Sequence, residues 1–173
     1  MRRTFDTKRL TLLAFLTALS AVVSLIESML PSVPLAPGAK LGLGNVAPLF
    51  ALILLGTGDA FAVMLLKCLL GAAITGNVSA LMYSIPAGLV SLAVEVALYK
   101  LLIGKLSLAG ISMVGAVVFN AVQLGVACLV TGTNLLTLLP PLTLAGVLAG
   151  GFTGLLTLYV IKRLPLFVLG DKR

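Results

Sequence analysis

Hydrophobic residues run along this chain in long blocks, each broken off by glycine, proline or charged residues. The blocks cover residues 10–29, 41–56, 60–75, 79–103, 108–131 and 135–161. Most approach or exceed the twenty or so residues that an α-helix needs to cross the hydrocarbon core of a bilayer. None alternates with the period of two expected of a transmembrane barrel strand. The pattern therefore predicts an all-α integral membrane bundle of about six transmembrane helices, forming a single transmembrane domain over residues 1–173. The second and third blocks are close to the lower length limit. The connector "GTGD" at 56–59 is either a tight turn between two helices or a break within one re-entrant unit. Pro140 and Pro141 should kink the last block or mark its true start. The first block follows a basic start, but it is too long for a signal peptide and has no clear cleavage site, so it is read as retained.

Composition agrees with this pattern. Of 173 residues, 60% are hydrophobic and 10% charged, with a mean hydropathy of +1.22, well outside the range of soluble globular domains. The net charge of +7 suggests a nucleic-acid partner until the positions are read. Arg2, Arg3, Lys8 and Arg9 precede the first block, Lys100 and Lys105 separate the fourth from the fifth, and Lys162, Arg163, Lys172 and Arg173 follow the last. Six successive crossings bring all of them to one side, which the positive-inside rule assigns to the cytoplasm. Both termini should then be cytoplasmic in a multi-pass protein of the plasma membrane. The positive charge meets lipid headgroups, and no nucleic-acid partner is needed.

Two lysines fall outside this set. Lys40 belongs to the outer connector "PSVPLAPGAKLGLGN" at 31–45, and Lys67 lies inside the third block. By helical rise Lys67 and Glu95 share a depth of about 12 Å from the inner side, so they can pair. Ionisable residues inside a membrane are costly and are functional candidates, although a purely structural ion pair is the plain alternative. Glu95 shares a helix face with Ser84, Gly88, Ser91 and Tyr99. Ser20, Ser24 and Glu27 make a polar stripe on the first helix. On the fifth helix Asn120 and Gln123 lie one turn apart on one face, where two amides can read a polar ligand or fasten two helices. Ala14 and Ala18 form a small-xxx-small pair suited to close helix approach.

Several chemistries are excluded or disfavoured. Cys68 and Cys128 lie at depths of about 14 and 30 Å, too far apart to bond. The chain has no histidine and no paired-cysteine spacing, so neither a metal site nor a cofactor is expected. Asp6, Asp59 and Asp171 are scattered, and no phosphate-binding glycine loop is present. Nothing assembles a catalytic constellation, and the chain is not expected to be an enzyme. Any uphill movement would need an external motor.

The stretch "PGAKLGLGN" at 37–45 resembles a signature of the Gx transporter family, also labelled heptaprenyl diphosphate synthase component I. The resemblance continues in "LLKCLLG" (65–71), "YSIPAGLVS" (83–91), "GAVVFNAVQ" (115–123) and the proline and glycine pattern after Leu139. Lys67 and Phe119 stand where the family pattern suggests arginine and histidine. The family is in turn similar to the substrate-binding S components of energy-coupling factor (ECF) vitamin transporters. That resemblance implies six helices, cytoplasmic termini and a ligand pocket toward the outer face, capped by the connector after the first helix. It also implies a coupling transmembrane subunit that docks through an alanine-xxx-alanine motif, matched by Ala14 and Ala18, and partner ATPase subunits. Substrate-binding candidates are then Lys40, Asn45, Lys67, Glu95, Asn120 and Gln123. The two lysines suit a small anionic substrate, vitamin-like or a precursor, unless Glu27 and Glu95 neutralise them. The alternative is a non-catalytic membrane accessory subunit of a prenyl (heptaprenyl) diphosphate synthase.

Overall fold

The computed structural model describes residues 7–29, 43–102 and 105–163. It contains six α-helices: α1 (Thr7–Met29), α2 (Val46–Leu54), α3 (Thr57–Thr75), α4 (Ser79–Leu102), α5 (Leu108–Thr131) and α6 (Leu139–Arg163). Single 3₁₀ turns at Leu43–Asn45 and Leu136–Leu138 lead into α2 and α6. Five segments, α1 and α3 to α6, are long and apolar enough to cross a membrane. The chain is thus a multi-pass helical membrane protein.

The helices sort their residues as a bilayer demands. On α1, Leu16, Thr17, Ser20, Ala21, Ser24 and Glu27 are buried, whereas Phe15, Leu19, Val22 and Ile26 are exposed. The apolar side chains therefore face outward, where lipid and not water is the solvent, and the polar stripe turns into the bundle. Ala14 and Ala18 lie on the exposed side. α2 is the reverse case: Ala47 to Leu52 are all buried, as expected of a helix that is apolar all round and enclosed by its neighbours. Pro48 sits in its first turn, where a missing N–H costs no helical bond.

The expected second crossing, 41–56, takes a different form. Together with its leading turn, α2 covers only Leu43–Leu54, about 18 Å of helical rise, too short to span alone. "GTGD" proves to be a tight turn. Gly56, at φ 105°, donates its N–H to the Ala51 carbonyl at 2.9 Å, and a backbone conformation closed to most side chains starts α3 at Thr57 instead of residue 60. Pro140 and Pro141 lie in the first turn of α6 and mark its start.

A bidentate ion pair sets the direction of the first three helices. The Arg9 guanidinium grips both carboxylate oxygens of Asp59, with Nε–Oδ2 at 2.9 Å and Nη2 reaching Oδ1 and Oδ2. Arg9 is in the first turn of α1 and Asp59 in the first turn of α3, where an acidic side chain also favours the helix dipole. The two helices therefore start at the same end, and α2 runs back between them. Short links then alternate α4, α5 and α6, so Lys8, Arg9, Lys100, Lys105, Lys162 and Arg163 gather at one end of the bundle. We call this the basic end.

α5 and α6 form the tightest pair, antiparallel and fitted by small residues. A Cβ added to Gly150 would lie 2.6 Å from both Met113 Cα and the Ser112 carbonyl oxygen, and one added to Gly154 would strike Ala109 Cα. Such contact between backbones replaces the hydrophobic drive that lipid cannot supply. Ser112 Oγ and Thr153 Oγ1 add a buried hydrogen bond of 2.6 Å between them.

Gly150→Ala should consequently lower stability by about 1–3 kcal/mol, the usual cost of overpacking. Gly125→Ala, where an added Cβ has nothing within 4 Å, should cost nothing. Unfolding of the two variants in detergent micelles checks the contrast; equal stability would show that α5 and α6 are free to separate.

Candidate functional site

The site is built around a helix that starts inside the membrane. The Gly44 carbonyl, just ahead of α2, accepts hydrogen bonds from Ser20 Oγ at 2.6 Å and from Lys67 Nζ at 3.0 Å. Ser20 lies three turns along α1 from Arg9, about 16 Å by helical rise, which puts Gly44 near mid-depth. A free carbonyl there would carry the full cost of desolvation. Side chains from α1 and α3 supply the donors. A Cβ at Gly44 would strike Ser24 Oγ, so glycine is also what lets this backbone lie against α1.

Lys67 makes a second bond, to Asn45 Oδ1 at 2.5 Å. It is only 6% exposed, and its ammonium is held by a backbone and a side-chain oxygen from the same turn. Asn45 is left with a buried Nδ2 that has no hydrogen-bond partner among the described residues. On α1, Glu27 Oε1 accepts a long bond of 3.4 Å from the Leu43 N–H. The turn before α2 is thereby tied to both flanking helices.

These groups line a narrow cavity of about 30 Å³ on the side of the bundle away from the basic end. Ser24 and Glu27 come from α1, and Gly44 and Asn45 from the turn. Lys67 and Cys68 come from α3, Ser84 from α4 and Phe119 from α5. The cavity thus combines one ammonium, one carboxylate, an amide and two serine hydroxyls with apolar walls.

Of the candidates read from the sequence, the structure brings Asn45 and Lys67 together in this cavity. Glu95, 3% exposed, lies outside its lining. Its carboxylate packs where a Cβ on Gly115 would sit, joining α4 to α5. Asn120 and Gln123 are buried but do not line the cavity. Asn120 Nδ2 donates to the Leu142 carbonyl at 2.8 Å and fastens α5 to α6, while its buried Oδ1 has no partner among the described residues. Lys40 lies outside the described residues, as do the connector prolines. The face of Glu95 is as expected, with Ser84, Gly88 and Ser91 buried.

Three contributors were not among the sequence candidates. Glu27 and Ser24 were visible as a polar stripe, but nothing in their spacing linked them to a lysine on α3. The Gly44 carbonyl is a backbone group with no side-chain signal at all.

A bundle of membrane-spanning helices around a buried polar cavity defines a class, the multi-pass membrane proteins with an internal site. Within that class the family can be given. The family described as heptaprenyl diphosphate synthase component I matches residues 16–160, from the middle of α1 to the last turns of α6, and the chain belongs to it. No curated protein and no solved structure matches the chain.

Lys67→Met should lower stability by about 1–3 kcal/mol, because it removes a donor from the Gly44 carbonyl and leaves Asn45 Oδ1 without its ammonium. A double-mutant cycle with Asn45→Ala should show coupling of at least about 0.5 kcal/mol. Additive losses in thermal unfolding would mean that the Lys67–Asn45 bond contributes nothing to the fold.

Proposed function

We propose that the chain is the membrane-embedded substrate-binding component of an ECF-type uptake transporter. It would capture a small vitamin-like or precursor molecule in the plasma membrane and rely on partner ATPases for energy. The observation that carries this reading is the polar cavity around Lys67 and Asn45, held in the half of the bundle remote from the basic end. With the basic end cytoplasmic, that half faces the side from which an imported molecule arrives. The sequence has no nucleotide-binding loop and no cluster of acids to hold magnesium on a diphosphate, so it acts as a receptor and not as a catalyst. Ala14 and Ala18, exposed on α1, offer a flat strip to a coupling subunit.

The family description favours a second reading, a non-catalytic membrane accessory subunit of a prenyl diphosphate synthase. Asp59 is committed to Arg9, and Asp6 and Asp171 stand at opposite ends of the sequence. Elongation chemistry would then belong to a partner.

Orientation has a direct test. With Cys68 and Cys128 replaced by serine, Val78→Cys, in the link between α3 and α4, should react with an impermeant maleimide in intact cells. Lys105→Cys should react only after lysis. The reverse pattern would overturn the assignment of sides.

Function is tested by purifying the tagged chain from its own membranes in mild detergent, followed by native mass spectrometry. A retained small molecule and a co-purifying ATPase are expected. Ala14→Leu combined with Ala18→Leu should remove the ATPase and keep the small molecule. A co-purifying synthase whose prenyl elongation requires this chain would establish the second reading instead.

A further inference from the structure

The cavity is smaller than the molecule it is proposed to hold. Its volume of about 30 Å³ is enough for a water molecule, whereas small-molecule sites run to about 300–1,000 Å³. A wall must therefore move before a vitamin-sized molecule can enter, and the walls differ in how firmly they are held.

The walls from α1, α3 and the turn are tied together. Ser20 and Lys67 both donate to the Gly44 carbonyl, Lys67 also donates to Asn45, and Glu27 accepts from the Leu43 N–H. Phe119 belongs to α5, which is locked against α6 at Gly150 and Gly154. The remaining wall is the start of α4, which contributes Ala80, Leu81 and Ser84. Among the described residues no side-chain hydrogen bond joins residues 79–85 to another helix. The one that reaches them is local, from the Ala80 N–H to Asn77 Oδ1 at 3.2 Å.

A proline divides α4 just beyond this wall. Pro86 lies inside the helix and has no N–H, so the Met82 carbonyl one turn earlier lacks its helical donor. Such positions are where helices bend. Packing changes at the same residue. Ser84 alone is buried among residues 79–85, and Met82 is 58% exposed. Beyond Pro86, residues Ala87, Gly88, Ser91, Leu92, Glu95 and Val96 are all buried. Gly88 is held against Met64, whose Sδ would lie 2.7 Å from an added Cβ. The link back to α3, residues 76–78, is exposed and begins at Gly76 with φ 66°, a conformation that glycine adopts without strain.

We infer that residues 79–85 of α4 form a gate, hinged at Pro86, that swings outward to enlarge the cavity and admit the molecule. Because no side-chain hydrogen bond to a neighbouring helix has to break, the swing costs mainly the packing of Leu81 and Ser84. The gate rests on the reading of the chain as a substrate-binding component, but its movement can be measured without a ligand.

The test is made in nanodiscs with Cys68 and Cys128 replaced by serine, using pairs of nitroxide labels whose separation is read by double electron–electron resonance. Met82→Cys with Leu144→Cys spans the gate and α6, whereas Leu101→Cys with Phe152→Cys spans the locked part of α4 and α6; all four positions are exposed. The gate pair should give two distances, or a distribution at least about twofold broader than that of the other pair. Pro86→Ala, which restores the missing N–H, should narrow it. In the Cys128→Ser protein, the same substitution should slow alkylation of Cys68, in the cavity wall, by N-ethylmaleimide at least about fivefold. Equal widths for the two pairs beside native Pro86 would overturn the gate, and this comparison stands even if Pro86→Ala does not fold. A gate pair that stays broad in folded Pro86→Ala, or an unchanged rate at Cys68, would overturn the hinge and with it the inference. None of these measurements uses a ligand, so their failure leaves the substrate-binding reading to native mass spectrometry.

Discussion

A helix that starts inside a bilayer must find partners for backbone groups that water would otherwise satisfy. In this protein the Gly44 carbonyl finds two, Ser20 Oγ and Lys67 Nζ. Much of the bundle depends on that requirement. The polar stripe of α1 turns inward to meet it, and a lysine is tolerated on an otherwise apolar α3 because its ammonium has oxygens to bond. The turn ahead of α2 is thereby fixed between the two helices. Irregular backbone at membrane depth survives where protein covers it or where it lines a cavity, and here it does both.

The same arrangement accounts for the cavity. α2 is too short to span, and the turn that leads into it lies near mid-depth, bonded to α1 and α3. The cavity beside it is lined by Ser24 and Glu27 on α1, Lys67 and Cys68 on α3, and Ser84 on α4. At the basic end the opposite holds. Arg9 and Asp59 clamp α1 to α3, and the apolar residues of α2 fill the interior. One end is closed by packing and an ion pair, and on the other side polar groups line the cavity. α5 and α6, locked by their small residues, form a rigid wall behind both.

This division bears on what family membership means. The family description names a synthase component, and the polar groups around the cavity come from α1, α3, α4 and the turn ahead of α2. Those of α1, α3 and the turn are fixed by backbone contacts, and all are set in apolar walls.

The membrane class, the number of helices and their approximate limits were legible in the sequence, because hydrocarbon admits only backbone that bonds within itself, and helices of known rise then follow from block lengths. The gathering of basic residues at one end followed from the same counting. What rise cannot supply is the angle around the bundle. Which helices are neighbours depends on side-chain fit between segments far apart in sequence, such as Arg9 with Asp59 or Gly150 against Ser112 and Met113. Only the tertiary structure therefore decided that Asn120 bonds α6 and leaves the cavity, and that Glu27 joins it. It also decided that the second apolar block is a short inner helix. The block's composition reads as a crossing, but its described helix is short and begins at a turn whose Gly44 carbonyl bonds Ser20 and Lys67.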